Sequence, residues 1–114
     1  MKEMNNEIID SLEKIKDFIA ASPAVLLYFS TTSCNVGEAL EPKVKNLIKT
    51  EFPKINYFTV DLNFYPEIAA YYTAFVEPTI LVFFDGKETI RKSRNISILE
   101  LESSIARPYK LIFE

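Results

Sequence analysis

Cys34 is the side chain here best suited to covalent chemistry, and it is the only cysteine among 114 residues. It lies in YFSTTSCNVGEALEP, residues 28–42, just ahead of a helical pattern. The thiolate is the nucleophilic form of cysteine, and a helix start favours it through the dipole and the free amides. That help is about 0.3–1 kcal/mol when exposed and up to about 2 kcal/mol when partly buried, or about one pKa unit. Glu38, in the first turn, and Glu77 oppose it wherever either carboxylate lies near the sulfur. The pattern therefore predicts a modestly activated thiol at most. The competing reading is a small apolar side chain that is simply buried, as free cysteines often are.

The remaining composition narrows the chemistry. The chain has no histidine, which removes the usual base for a Cys-His or Ser-His nucleophile and the commonest metal ligand. One cysteine without histidine gives no structural zinc site. Gly37 and Gly86 are the only glycines, so no phosphate-cradling loop is present, and no cofactor or metal is expected. No paired-carboxylate site stands out. A lone cysteine excludes an internal disulfide and suits a reducing compartment.

Charge and hydropathy point the same way. The net charge of −3 argues against nucleic acid as the main partner. The one basic cluster, Lys87, Arg91, Lys92 and Arg94, reads as charges protecting an edge strand. The start, MKEMNNEIIDSLEKIK, has no apolar stretch of signal-peptide length. No run approaches the roughly 18 apolar residues of a spanning helix, so a soluble, cytoplasmic protein without a membrane partner is expected. With 48% apolar residues over 114 positions, the chain suits one domain, 1–114, with a real core.

The elements that must position Cys34 follow from periodicity. Ile8, Ile9, Leu12, Ile15, Phe18 and Ile19 recur at helical spacing and predict a helix over 5–21, stopped by Ser22-Pro23. AVLLYFS, 24–30, is a continuous apolar run, as in a strand buried on both faces. Residues 34–51 read as helix, capped by Ser33 or Thr32, with Pro42 inside it and Leu40, Val44, Leu47 and Ile48 on one face. INYFTVD, 55–61, is a strand, and YPEIAAYYTAF a short helix with Pro66 in its first turn. Asp85-Gly86 joins TILVFFD to ETIRKSR as a hairpin. Ser97 caps a final helix that Pro108 is expected to end, leaving 109–114, YKLIFE, as an apolar tail. The order is α-β-α-β-α-β-β-α, an α/β fold with a mixed sheet of about four strands flanked by helices.

Three segments in this order resemble the thioredoxin family, over residues 5 to about 107. They are VLLYFSTTSC, VDLNFYPEIAAYY and VEPTILVFFDGKE. The resemblance implies a thioredoxin-like fold in which Cys34 takes the place of the attacking cysteine. Pro78 takes that of the cis-proline facing it, with Thr79 following. Glu77 stands where the family's backbone pairs with an extended substrate segment, and Pro42 where a proline kinks the active-site helix. Arg94 occupies a position usually held by a glycine that lets substrate approach; there it pairs with Glu77, compensates it, or fills the groove. For Glu77, Glu38 and Arg94 a solvated surface charge is the plainer reading. The family's N-terminal strand has no visible counterpart, which leaves a sheet edge free.

The departures matter more. The family's Trp-Cys-Gly-Pro-Cys reads Ser33-Cys34-Asn35-Val36-Gly37 here, so the resolving cysteine is a glycine. The family's buried acid, six residues ahead of the attacking cysteine, is Tyr28, which reads as plain core. Two parts that serve one step are absent together. The resemblance therefore implies a redox-homeostasis protein that makes mixed disulfides with protein thiols or small thiols, but no internal disulfide. A second reading is a non-catalytic binding module, with a groove around Cys34, Val36, Phe75, Val76 and Pro78 holding an extended peptide. The tail, or a free sheet edge, would then also allow a homodimer. Cluster binding shared with glutathione ranks last, because the Cys-Gly-Phe-Ser motif of single-thiol glutaredoxins is absent.

Overall fold

The computed structural model describes residues 11–31 and 35–114, with the side chains of 35–39 left out. Four helices and four strands follow the order expected from the sequence. They are α1 (Leu12–Ala21), β1 (Ala24–Ser30), α2 (Asn35–Glu51), β2 (Asn56–Asp61), α3 (Pro66–Tyr72), β3 (Thr79–Phe84), β4 (Lys87–Ser93) and α4 (Ile98–Phe113).

The sheet runs β2-β1-β3-β4, parallel between β1 and β2 and antiparallel at the other two pairings. All seven residues of β1 are buried because both of its faces are covered. Ala24, Leu26 and Tyr28 join Val44, Leu47, Ile48, Leu101 and Ile105 in a core under α2 and α4. Val25, Leu27 and Phe29 point the other way, onto Ile15 and Ile19 of α1 and Ile68 of α3. The strand period of two splits one apolar run between two cores. The hairpin turns through Asp85 and Gly86, with φ of 55° and 80°, the left-handed pair of a tight two-residue turn.

Three boundaries differ from the sequence expectation, each for a physical reason. Helix α1 starts at Leu12: Ser11 is extended, and its hydroxyl accepts the Lys14 N–H at 3.1 Å. Residues 5–10 of the longer expected helix lie outside the described residues. Helix α3 stops at Tyr72 because Thr73 turns left-handed, at φ 54°. The third difference is the largest. Helix α4 does not end at Pro108 but continues to Phe113, so 109–114 is not an extended tail free to add a strand. An interior proline costs a helix roughly 3 kcal/mol. Burial offsets that cost. Tyr109 and Phe113 pack against the core, Tyr109 meets Phe52 edge-on with ring centroids 5.0 Å apart, and its hydroxyl accepts the Lys54 N–H at 3.2 Å.

At the far side of the sheet β4 is an edge strand, as the basic cluster suggested, but Arg91 does more than guard it. Its guanidinium donates to the carbonyls of Tyr72 at 2.7 Å and Thr73 at 3.0 Å, and pairs with Glu88 at 2.8 Å. The side chain thus caps the last carbonyls of α3, which the helix itself leaves unpaired.

Candidate functional site

The carboxyl ends of the parallel strands β1 and β2 meet the amino end of β3 at one edge of the molecule. In an open α/β sheet, ligands bind beyond such strand ends. The register sets Phe29 opposite Thr79 and Ser30 opposite Asp61, and the Leu62 N–H donates to the Ser30 carbonyl at 2.9 Å. Thr31 leaves β1 at this point, three residues ahead of Cys34, and α2 begins at Asn35. Cys34 and Ser33 lie outside the described residues. Asn35, Val36 and Gly37 form the first turn of α2 by their backbone.

Glu77 and Pro78 are brought to the same place by β3. The Glu77–Pro78 peptide bond is cis, and Pro78 is buried. The Glu77 carboxylate is not a solvated surface charge. It accepts the Thr31 backbone N–H, and the Thr31 hydroxyl donates to it at 3.0 and 3.1 Å. One side chain therefore ties the segment before Pro78 to the segment before Cys34. Thr79 is buried, and its hydroxyl donates to the Val76 carbonyl across the proline. These contacts engage the Glu77 carboxylate and the Thr79 hydroxyl, while Phe75 beside them is 68% exposed and Phe64 of the β2–α3 loop 72% exposed.

Arg94 follows β4 and reaches the same loop through its backbone: its N–H donates to the Pro78 carbonyl at 3.0 Å. It adopts φ 65°, a conformation that glycine enters at no steric cost and other residues seldom do. That is a physical reason for a glycine at this position. Among the described residues no ion pair joins Arg94 to Glu77, so of the three roles open to Arg94, pairing is not realised. Arg94 instead lines a hollow of about 390 Å³ with Leu40, Asn95, Ile96 and Ser97.

Tyr28, where the resemblance sets the family's buried acid, is fully buried in the core under α2. Its ring stacks on Tyr57 with centroids 6.4 Å apart. The Tyr57 hydroxyl donates to Glu41 at 2.9 Å, and Thr59 donates to the same carboxylate oxygen at 2.5 Å. Burial, then the nearby Glu41 charge, push the Tyr57 hydroxyl far above the ordinary tyrosine range, so it stays protonated. An aromatic pair occupies this part of the core, with the carboxylate of Glu41 at its rim. Sequence reasoning did not find the Thr31–Glu77 contact. The two residues are 46 positions apart, and no local pattern links them.

No family model matches the chain. The thioredoxin-like protein YdfQ of Bacillus subtilis is 31% identical over 111 residues, spanning 97% of this chain and 96% of that protein. Mitochondrial thioredoxin 3 of Saccharomyces cerevisiae, in its oxidized form, superposes with a TM-score of 0.78 at 20% identity, over 90% of this chain and 97% of that one. Fasciola hepatica thioredoxin does so with a TM-score of 0.71 at 30% identity, covering 84% and 89%. With a relative 31% identical and matched along nearly the whole length of both chains, the chain belongs to the thioredoxin family.

Proposed function

We propose that the protein works in thiol–disulfide exchange with Cys34 as its single attacking thiol. The Cys34 thiolate attacks a disulfide R–S–S–R′, forms the mixed disulfide Cys34–S–S–R, and releases R′–S⁻, which takes up a proton. With glycine at position 37 the chain cannot resolve that intermediate. A second thiolate from outside attacks it, restoring Cys34 and carrying R away as a new disulfide. The partners are protein thiols and disulfides, or small thiols. Ser33, Asn35, Val36, Gly37, Glu77, Pro78, Thr79 and Arg94 frame the site.

The observation that carries this reading is the proline loop, anchored by Glu77 on Thr31 beside the helix that Cys34 precedes. The exposed Phe64 and Phe75 favour a second reading, in which the same groove holds an extended peptide and the sulfur is incidental. One experiment separates them. The intact protein and Cys34→Ser are used to trap partners under mild oxidant, and adducts are read by mass before and after reduction. Reducible adducts on Cys34 alone support exchange. Equal capture by both forms supports the peptide groove, and an unreactive thiol with no adduct sinks the exchange mechanism.

A further inference from the structure

Strand β4 leaves one side of the sheet open, and the ladder fixes which backbone groups stand there. The Arg94 N–H donates to the Pro78 carbonyl, and Ser93, Lys92, Arg91 and Ile90 lie opposite Thr79, Ile80, Leu81 and Val82 in turn. In an antiparallel pair, hydrogen-bonded and non-hydrogen-bonded positions alternate. Arg94, Lys92 and Ile90 therefore turn their backbone N–H and C=O groups toward β3, while Arg91 and Ser93 turn theirs outward. Among the described residues no strand pairs with that edge.

The side chains alternate as well. Ile90 joins the core with Leu101 and Ile105 of α4, so Lys92, two positions on, stands on the α4 face. Arg91 stands on the other face, where its guanidinium holds the carbonyls of Tyr72 and Thr73. Between the open edge and α4 lies a hollow of about 510 Å³, lined by Ile90, Lys92, Ser104, Arg107, Pro108 and Leu111 among others. Its charge is of one sign. No carboxylate lines it, and among the described residues Lys92 and Arg107 make no ion pair or side-chain hydrogen bond. Glu88, the acid of β4, is committed to Arg91.

We infer that the β4 edge binds an extended acidic segment of another protein, which adds antiparallel as a fifth strand. Its backbone pairs with Arg91 and Ser93. The guest residues opposite Lys92 and Ile90 then stand on the α4 face, and carboxylates there enter the hollow between Lys92 and Arg107. The pattern recognised is an acid at every second position. Lysine on an edge strand guards against uncontrolled pairing. The same charges turn away a basic strand and admit an acidic one, so guarding and selection are one device. A second copy of β4 carries Lys87, Arg91 and Lys92 against the single acid Glu88, which makes it the wrong guest. The edge and the hollow share no residue with the candidate site, so the inference does not depend on what Cys34 does.

Amide NMR titration of the full chain with a blocked Val-Glu-Val-Glu-Val peptide at low salt tests it. Signals of Arg91, Ser93, Ser104 and Arg107 should move together and saturate with a Kd of about 1 mM or tighter. Lys92→Glu and Arg107→Glu, each checked for a folded spectrum, should each weaken binding by about three- to tenfold. The same peptide with lysine for glutamate should not bind. N-methylation of its valines removes the donors that face β4 and should abolish binding. No movement of these signals up to about 5 mM peptide overturns the proposal. So does equal binding of the lysine peptide, or of the N-methylated one, since side chains alone would then hold the guest. Shifts at the same residues that grow with protein concentration alone assign the edge to a second copy of the chain, and also overturn it.

Discussion

Thr31 and Glu77 offer the sharpest test of how the candidate site is held. The Glu77 carboxylate accepts a backbone N–H and a hydroxyl from Thr31. A hydrogen bond to a charged group contributes about 1.5–3 kcal/mol when sheltered. Both residues are half-buried, so solvent screening removes part of that, and Glu77→Ala should cost about 1–2 kcal/mol. Thr31→Val removes the hydroxyl but keeps the N–H, and should cost about 0.5–1 kcal/mol. The double variant should lose less than the sum, with a coupling of about 0.5–1 kcal/mol, because both changes remove the same hydroxyl–carboxylate contact. Urea unfolding of the four proteins gives the cycle, provided the m-values agree. Glu77→Gln serves as a control: it keeps an acceptor and loses the charge, and should fall between the unaltered protein and Glu77→Ala. If the two single effects add within about 0.3 kcal/mol, the residues do not act as a unit and the reasoning fails.

Two further outcomes follow from backbone and titration. Thr73 is β-branched and sits at φ 54°, where an L-residue pays roughly 1–2 kcal/mol and glycine pays none. After the entropy that glycine loses, Thr73→Gly should stabilise the protein by about 0.5–1 kcal/mol, read as a higher urea midpoint; an unchanged or lower midpoint contradicts this. Tyr72 is pushed up to about 12, by burial first and by Tyr71 second. The unfolded chain therefore loses this proton from about pH 10, while the folded one keeps it to about pH 12, so stability falls across that window as pH rises. Tyr57 shifts in the same direction and deepens the fall. Tyr72→Phe should flatten the alkaline branch of the stability–pH curve, and an unchanged slope would count against the assignment.

Much of the fold is legible because it is written in short-range patterns. AVLLYFS announces a strand buried on both sides, and β1 is that strand. Asp85-Gly86 supplies the two left-handed residues a tight hairpin needs, and Ser97 caps α4 by accepting the Glu100 N–H. Pro108 shows where such rules stop. Locally it breaks a helix, yet Tyr109 and Phe113 gain enough from packing on Phe52 and the core to carry α4 past it. Arg91 reads as one charge in a cluster on an edge, and the fold uses it to cap a helix that ends 19 residues earlier in the chain.

The sequence by itself determined the stoichiometry and the order of parts. One cysteine with glycine at position 37 allows no internal disulfide, and no fold can change that count. Periodicity, caps and turn residues placed eight elements in order, because each depends on neighbours a few positions away. The tertiary structure alone decided what holds the candidate site. The Glu77 side chain closes on Thr31, the left-handed Arg94 reaches the Pro78 carbonyl through its N–H, and Tyr28 stacks on Tyr57. Those partners lie well apart along the chain and meet because the sheet register brings them together.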